Sequence, residues 1–127
     1  MKVEGKVCSG PRRGGHLMGY LNHRIKGIVG FDPYPGTLDV KLKEPIDLSK
    51  MDSCKTLQHV NPGGAIVREC FFVPCKIEGQ DAWAMQQAED EFKKKKKKSI
   101  IEIVSKKRLK DELDVDEGDL VKIQLSE

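Results

Sequence analysis

The sequence predicts a mainly β protein, a closed or nearly closed barrel of short strands with one or two short helices. Three observations lead to this prediction. Short apolar or alternating runs recur along most of the 127 residues, turn residues separate these runs, and helical spacing is confined to two segments. Because the strands do not alternate regularly with helices, a doubly wound parallel sheet is not expected.

Size and composition limit the organisation of the protein. We expect the 127 residues to form one compact domain, residues 1–127, because a chain of this length has no room for a separate catalytic lobe. Hydrophobic residues make up 38% of the chain and charged residues 34%, as in globular proteins that are not disordered. The net charge of +3 permits an anionic ligand but does not require nucleic acid, so no nucleic-acid partner is expected.

The cysteines and the N-terminus predict a cytoplasmic protein. None of the four cysteines has the two-residue spacing of a zinc or redox motif, so we expect reduced, mostly buried thiols. They are Cys8, Cys54, Cys70 and Cys75. The N-terminus has no apolar signal segment, and no run approaches the roughly 20 apolar residues that span a bilayer. We expect no membrane contact and a monomer.

The first part of the chain predicts two strands separated by a helix. Lys2–Cys8 is a short strand, and residues 10–16 are interpreted as a loop. Apolar residues recur at three- and four-residue intervals over residues 17–29, which predicts an irregular helix interrupted by glycines. Turn residues then lead into residues 37–42, a strictly alternating strand and the clearest element of the sequence.

The second part predicts further strands and one short helix. No strand is assigned between residues 43 and 64, whereas residues 65–77 and 82–85 form a hairpin that turns near residues 78–80. Three elements complete the chain: a strand at residues 100–104, a short helix at residues 107–113 and a strand at residues 120–125.

Thr37 and Asp39 are candidate metal ligands. They project from one face of the strand at residues 37–42, with their α-carbons about 7 Å apart, so one hydroxyl and one carboxylate can reach the same small cation. Magnesium takes few protein ligands beside phosphate oxygens and water. The alternative is an exposed strand face, which is the commoner interpretation of an isolated T-x-D.

A glycine- and arginine-rich loop is a candidate phosphate-binding segment. Glycines let backbone N–H groups close around oxyanions, and arginines add charge-assisted donors. The residues of this loop are Gly10, Pro11, Arg12, Arg13, Gly14, Gly15 and His16. The chain contains neither a Walker loop nor a Rossmann fingerprint. The alternative is a loop that only connects two elements.

Two lysine-rich segments are candidates for binding an anion. Four cations, namely Lys106, Lys107, Arg108 and Lys110, lie near the start of the predicted short helix, where a bound anion would be favourable. A solvated helix face is the alternative for Lys106 and Lys107. The lysine run at residues 93–98 is interpreted as solvated, with attraction of an anionic ligand as a second hypothesis.

Glu102 interrupts the apolar run at residues 100–104. A carboxylate at such a position is costly to bury unless it meets hydrogen-bond donors. Glu102 therefore either contacts a ligand or lies on the outer face as a surface charge.

Three segments together resemble a known family. They are Glu4-Gly5-Lys6-Val7-Cys8-Ser9-Gly10, residues 100–123 and the string G-F-x-P-Y-x-G-T-L-[ND]-x-K-L at residues 30–42. Taken in chain order, they resemble the archaeal CTP-dependent riboflavin kinases. The resemblance implies a six-stranded cradle-loop β-barrel that transfers the γ-phosphoryl group of CTP to the 5′-hydroxyl of riboflavin, giving FMN and CDP, with a magnesium ion.

The resemblance also implies roles for individual residues. Thr37 and Asp39 are the expected magnesium ligands. Glu102 and Lys94 are the expected flavin contacts, although the family has a small hydroxyl residue where this chain has Lys94. The expected nucleotide contacts are the loop from Gly10 to His16, described above, together with Arg108, Leu109, Lys110 and Asp111.

The resemblance leaves two alternatives open. The glycines of the loop at residues 10–16 are adjacent, whereas those of the family alternate, and this departure together with Lys94 allows a flavin-binding homologue without kinase activity. The segment at residues 108–119 also resembles swapped-hairpin DNA-binding regulators of the same barrel lineage. No catalytic base is assigned to His16, His23 or His59.

Overall fold

The computed structural model describes residues 1–9, 13–60, 62–64, 66–88 and 99–126, with the backbone alone for residues 13–20 and 66–68. Its elements in chain order are β1 (Lys2–Cys8), α1 (Arg13–Val29), β2 (Leu38–Leu42), a 3₁₀ helix (Leu48–Lys50), β3 (Lys55–Val60), β4 (Ile66–Ile77), β5 (Gln80–Gln87), β6 (Ile100–Val104), α2 (Leu109–Glu112) and β7 (Leu120–Leu125). No helix in these ranges is long and apolar enough to cross a membrane.

Six strands close into an antiparallel barrel. Their order around the ring is β4, β5, β6, β2, β1 and β7, and β7 pairs again with the end of β4, where Ile77 faces Ile123. The predicted six-stranded barrel is therefore confirmed. A seventh strand, β3, pairs with the first part of β4 and was not predicted. Only Leu57 of its six residues is buried, so β3 shows no apolar alternation.

Aliphatic side chains that point inward fill the barrel. Leu38, Val40 and Leu42 of β2 are all buried in this core, and the register places Leu38 opposite Ile103 and Val40 opposite Ile101 of β6. Because successive strand residues point to opposite sides, Asp39 of β2 and Glu102 of β6 point to the outside of the barrel. The alternation predicted for β2 is thus confirmed.

Helix α1 covers part of this outer side. Leu21, Ile25 and Val29 pack with Phe72 of β4 and Met85 of β5 in a second buried cluster. The helix ends at the predicted residue, but its one residue with non-helical dihedral angles is Leu21 (φ −111°, ψ 21°) and not a glycine.

The start of α1 corrects the predicted loop. Arg13, Gly14, Gly15 and His16 have helical backbone, so the expectation of a loop over residues 13–16 is wrong. Each glycine costs a helix about 1 kcal/mol relative to alanine. Burial of one leucine or isoleucine contributes about 2 kcal/mol, so the apolar face of α1 offsets that cost. Residues 10–12 lie outside the described residues.

The hairpin of β4 and β5 is confirmed. Its two turn residues, Glu78 and Gly79, both have positive φ, 46° and 81°. Two consecutive left-handed residues are typical of the two-residue turn whose twist matches that of the flanking strands. The backbone N–H of Glu78 also donates to the Lys122 carbonyl at 3.0 Å, which attaches the turn to β7.

All four cysteines are reduced thiols, as predicted. Cys70 and Cys75 are buried, whereas Cys8 and Cys54 are half-buried. Burial, with a smaller contribution from the charge of Asp81, raises the pKa of the Cys75 thiol to about 12. Cys75 is therefore a packing residue and not a reactive group at neutral pH.

Candidate active site

The side chains of Thr37 and Asp39 meet at the start of β2. Thr37 Oγ1 donates a hydrogen bond to Asp39 Oδ1 across 3.2 Å. Their neighbours Leu38 and Val40 are anchored in the barrel core, which holds both oxygens on the opposite side of the strand. Asp39 is only 8% exposed, so the alternative of an exposed strand face does not hold for this carboxyl group. The cause is cover from neighbouring elements, which the alternation within β2 does not report.

Asp39 lies in a row of side chains that crosses three strands. The register places it between Cys8 of β1 and Glu102 of β6. Glu102 is 6% exposed, so it is not a surface charge, and its Oε2 accepts a hydrogen bond from Gln87 Nε2 at 3.3 Å. Two buried carboxyl groups on directly paired residues lie on the outside of the barrel, and both can be charged only if they meet a bound cation or hydrogen-bond donors.

The thiol of Cys8 is affected by the same negative charge. Burial raises its pKa most, and the charges of Asp39 and Glu117 raise it further. A carboxylate that disfavours a thiolate beside it equally favours a cation there. The electrostatics of this corner therefore agree with a cation site at Thr37 and Asp39.

A cleft of about 300 Å³ opens beside Thr37. Its lining comes from residues 34–38, Ile103 and residues 107–110. The backbone N–H of Tyr34 donates to the Ser105 carbonyl at 2.8 Å, which fixes the segment before β2 against the segment before α2. The fold thus brings one candidate metal ligand, Thr37, next to the predicted nucleotide contacts at residues 108–110.

The cations near α2 are partly neutralised by the helix itself. The helix has four residues and begins at Leu109, later than predicted. Arg108 Nη1 lies 2.8 Å from Asp111 Oδ1, and Lys107 Nζ lies 3.7 Å from Glu112 Oε1. The expected excess of positive charge at this helix start is therefore smaller than the sequence suggests. Exposed pairs of this kind contribute little free energy, so an anion can displace them.

Two lysines of this segment have different surroundings. Lys106 Nζ lies over the Phe31 ring, 5.6 Å from its centroid, and Lys106 does not line the cleft beside Thr37. Lys110 lines the cleft, and within the described part of the chain it forms no ion pair. Lys110 and Arg108 are therefore the cations best placed to meet an anion in the cleft.

A family model named for CTP-dependent riboflavin kinases, and described as the domain of unknown function DUF120, matches residues 7–125. This chain belongs to the CTP-dependent riboflavin kinase family. The matched residues include β2, β6 and the segment at residues 107–110, that is, the described residues of the candidate site.

Curated riboflavin kinases of several archaea are similar to this family member. The riboflavin kinase of Methanococcus vannielii is 41% identical over 54 residues, which are 41% of this chain and 42% of that protein. The Methanopyrus kandleri protein is 28% identical over 111 residues, 84% of this chain and 69% of that protein. The Methanobrevibacter smithii protein is 25% identical over 130 residues, 98% of this chain and 99% of that protein. This chain therefore spans less than half of the first relative and nearly all of the third.

The structure brings together only part of the predicted site of this kinase family member. Thr37, Asp39 and Glu102 lie on the outer side of β2 and β6, and the cleft adds residues 108–110. Asp111 pairs with Arg108 and does not line the cleft. The described backbone places residues 13–16 in the first turn of α1, whereas Lys94 and residues 10–12 lie outside the described residues.

Two neighbours of the site were not assigned from the sequence. Tyr34 lines the cleft, and its place between two prolines inside the specific string at residues 30–42 was a signal that could have identified it. Gln87 contacts Glu102 through the pairing of β5 and β6, which no local pattern reports.

A magnesium ion fits the Thr37–Asp39 pair as a metal–nucleotide site. Two oxygens 3.2 Å apart provide one or two protein ligands, and magnesium commonly takes its remaining ligands from substrate phosphates and water. Among the described residues, no group of three or more His, Cys, Asp or Glu side chains could hold a metal ion alone. An all-protein metal cage is therefore absent from that part of the chain.

Proposed function

We propose that this chain transfers the γ-phosphoryl group of CTP to the 5′-hydroxyl of riboflavin and releases FMN and CDP. The observation that carries the proposal is the position of Thr37, which bonds to Asp39 and lines the same cleft as Arg108 and Lys110. Two oxygen ligands beside two cations match the needs of a magnesium-bound triphosphate. Membership of the family and the names of the archaeal relatives support this assignment.

The residues act mainly by position and charge. Arg108 and Lys110 meet phosphate oxygens in the cleft, while Thr37 Oγ1 and an Asp39 oxygen hold the magnesium ion. When bound, this ion neutralises charge on the phosphates of the nucleotide. Phosphoryl transfer through a loose transition state needs little covalent chemistry from the protein, so orientation of the two substrates supplies most of the acceleration.

The acceptor binds beside Glu102. The Glu102 carboxylate accepts hydrogen bonds from riboflavin. Asp39, on the neighbouring strand, is directly paired with Glu102. The 5′-oxygen forms a bond to the γ-phosphorus as the bond to the β–γ bridging oxygen breaks, and the hydroxyl proton is released to water. CDP is the leaving group. Lys94 and residues 10–16 are proposed as further flavin and nucleotide contacts.

Product analysis tests this function. Purified protein is incubated with riboflavin, magnesium and either CTP or ATP, and FMN is separated from riboflavin by chromatography. The proposal expects FMN with CTP and much less with ATP. Riboflavin binding without FMN formation would indicate a homologue that lacks kinase activity. Salt-sensitive DNA retention without flavin binding would indicate a regulator.

We also propose that the protein acts as a monomer with a single domain over residues 1–127. The ring of six strands closes within one chain, because β7 pairs with both β1 and β4. Light scattering coupled to size exclusion, with and without CDP, tests the monomer; a dimer that persists at low concentration would contradict it.

A further inference from the structure

We infer that the ring of Tyr34 is the surface on which the nucleotide base stacks. This inference rests on the proposed function, because it assigns a part of the nucleotide to a part of the cleft. Tyr34 lines the cleft together with Thr37 and the segment at residues 107–110. It is the one aromatic residue among the described residues of that lining.

The Tyr34 ring is available to a ligand. Tyr34 is 36% exposed and is one of four large hydrophobic residues that are exposed in the described chain. The others, Met1, Val60 and Leu120, do not line the cleft. An aromatic ring that is exposed in a polar cleft leaves apolar surface in contact with water, and a bound planar group would bury that surface.

The backbone holds the ring in place. Its N–H donates to the Ser105 carbonyl at 2.8 Å, and its carbonyl accepts from the Gly36 N–H at 2.8 Å. A β-carbon built on Gly36 would lie 3.3 Å from Tyr34 Cε1 and 3.6 Å from Cδ1, so one edge of the ring rests against Gly36. The backbone of Tyr34 is therefore anchored and one edge of its ring is supported before the ligand arrives, which lowers the entropic cost of stacking.

The charges of the cleft decide which part of the nucleotide meets Tyr34. Thr37, with its partner Asp39, is the proposed magnesium site, so the terminal phosphates lie beside it. Arg108 and Lys110 meet the remaining phosphate oxygens. The uncharged base is the part left for the aromatic side of the cleft, and aromatic stacking accepts any base because every base has a π-face. Tyr34 thus contributes affinity, while discrimination between bases depends on other contacts.

Binding of magnesium with CDP, and separately with inorganic pyrophosphate, tests the inference by calorimetry. Loss of one stacked base typically weakens binding about 10-fold or more. We therefore expect Tyr34→Ala to weaken CDP binding by about that factor while pyrophosphate binding stays within about twofold of wild type. Tyr34→Phe keeps the ring, so its CDP affinity should stay within about threefold of wild type.

Two further variants keep the test decisive. Tyr34→Leu preserves apolar contact with Gly36 but lacks a π-face, so it should lose CDP affinity even if Tyr34→Ala folds poorly. Phe31→Leu is the matched control, because Phe31 lies under Lys106 and outside this cleft, and it should bind CDP as wild type does.

Several results would overturn the inference. They are wild-type CDP affinity in Tyr34→Leu, an equal loss of CDP and pyrophosphate binding in Tyr34→Ala, or a loss in Tyr34→Phe as large as in Tyr34→Ala. CDP binding is measured without riboflavin and does not depend on turnover. A failed kinase assay would therefore contradict the proposed function, whereas the calorimetric result would still decide the role of Tyr34.

Discussion

Thr37 donates a hydrogen bond to Asp39 across 3.2 Å, and Thr37 lines a cleft that also contains Arg108 and Lys110. The pair exists because β2 alternates: every residue that points into the barrel is anchored by the core, so the intervening side chains share the other face. The alternation of side chains along β2 therefore brings the two oxygens together, and the segment at residues 107–110 adds the cations that complete the cleft.

Removal of the Thr37 hydroxyl should impair the kinase. Thr37→Val keeps the shape of the side chain but removes one of the two proposed oxygen ligands, and we expect kcat/KM for CTP to fall about 100-fold, as for other single contacts made in a transition state. Thr37→Ser keeps the oxygen and should stay within about 10-fold of wild type. Initial rates of FMN formation measure both. Equal rates in wild type and Thr37→Val would remove Thr37 from the site.

Glu102 should affect riboflavin more than CTP. Glu102→Gln preserves size but removes the charge that accepts hydrogen bonds, so we expect KM for riboflavin to rise about 10-fold and KM for CTP to change less than about twofold. The control is Asp81→Asn, the same chemical change at a side chain that is 90% exposed and distant in sequence. A larger effect on KM for CTP than on KM for riboflavin would contradict the flavin role.

Gly5 should tolerate no side chain. A β-carbon there would lie 2.5 Å from the Lys41 carbonyl oxygen and 2.7 Å from Val40 Cγ1, so β1 would have to separate from β2. Gly5→Ala should lower the free energy of unfolding by about 2 kcal/mol. Gly27→Ala is the matched control, because nothing lies within 4 Å of its β-carbon and helix propensity favours alanine. Urea unfolding measures both, and equal stability of the two variants would contradict the close approach of the strands.

The thiol of Cys75 should make stability fall in alkaline solution. Burial raises its folded-state pKa from 9.0 to about 12, so above pH 9 the unfolded chain loses a proton that the folded protein keeps. The contribution of this thiol to the free energy of unfolding is fully present below pH 9. It is lost as the pH rises towards 12, by about 1.4 kcal/mol per pH unit. Cys75→Ala lacks this term, so its unfolding free energy should fall less steeply between about pH 8 and about pH 10.5. Equal slopes would contradict the assignment.

The elements predicted best are those whose pattern is local. Strands β1, β2, β6 and β7 have short apolar alternations or runs, and the glycine of the β4–β5 turn identifies the hairpin. Strand β3 could not be predicted, because it buries one residue and depends on pairing with β4. The start of α1 was missed because adjacent glycines are typical of loops, whereas the second buried cluster favours the helix.

The features of the candidate site that depend on one strand were predictable, and those that depend on tertiary contacts were not. Thr37 and Asp39 follow from one strand, so their proximity was predictable. The burial of Asp39 and Glu102 was not, since it depends on what covers the outside of the barrel. The position of the Tyr34 ring depends on a tertiary contact between the segments before β2 and α2. The pairing of Arg108 with Asp111 is a local contact between residues three apart, but its presence depends on where α2 begins.

The most direct test of the central claim is a crystal structure of the protein with magnesium and CDP. We predict a magnesium ion bonded to Thr37 Oγ1 and to an Asp39 carboxylate oxygen at about 2.1 Å, with CDP phosphate oxygens completing its ligands in the cleft beside Arg108 and Lys110. An ion held elsewhere, or a diphosphate bound away from these two side chains, would contradict the account.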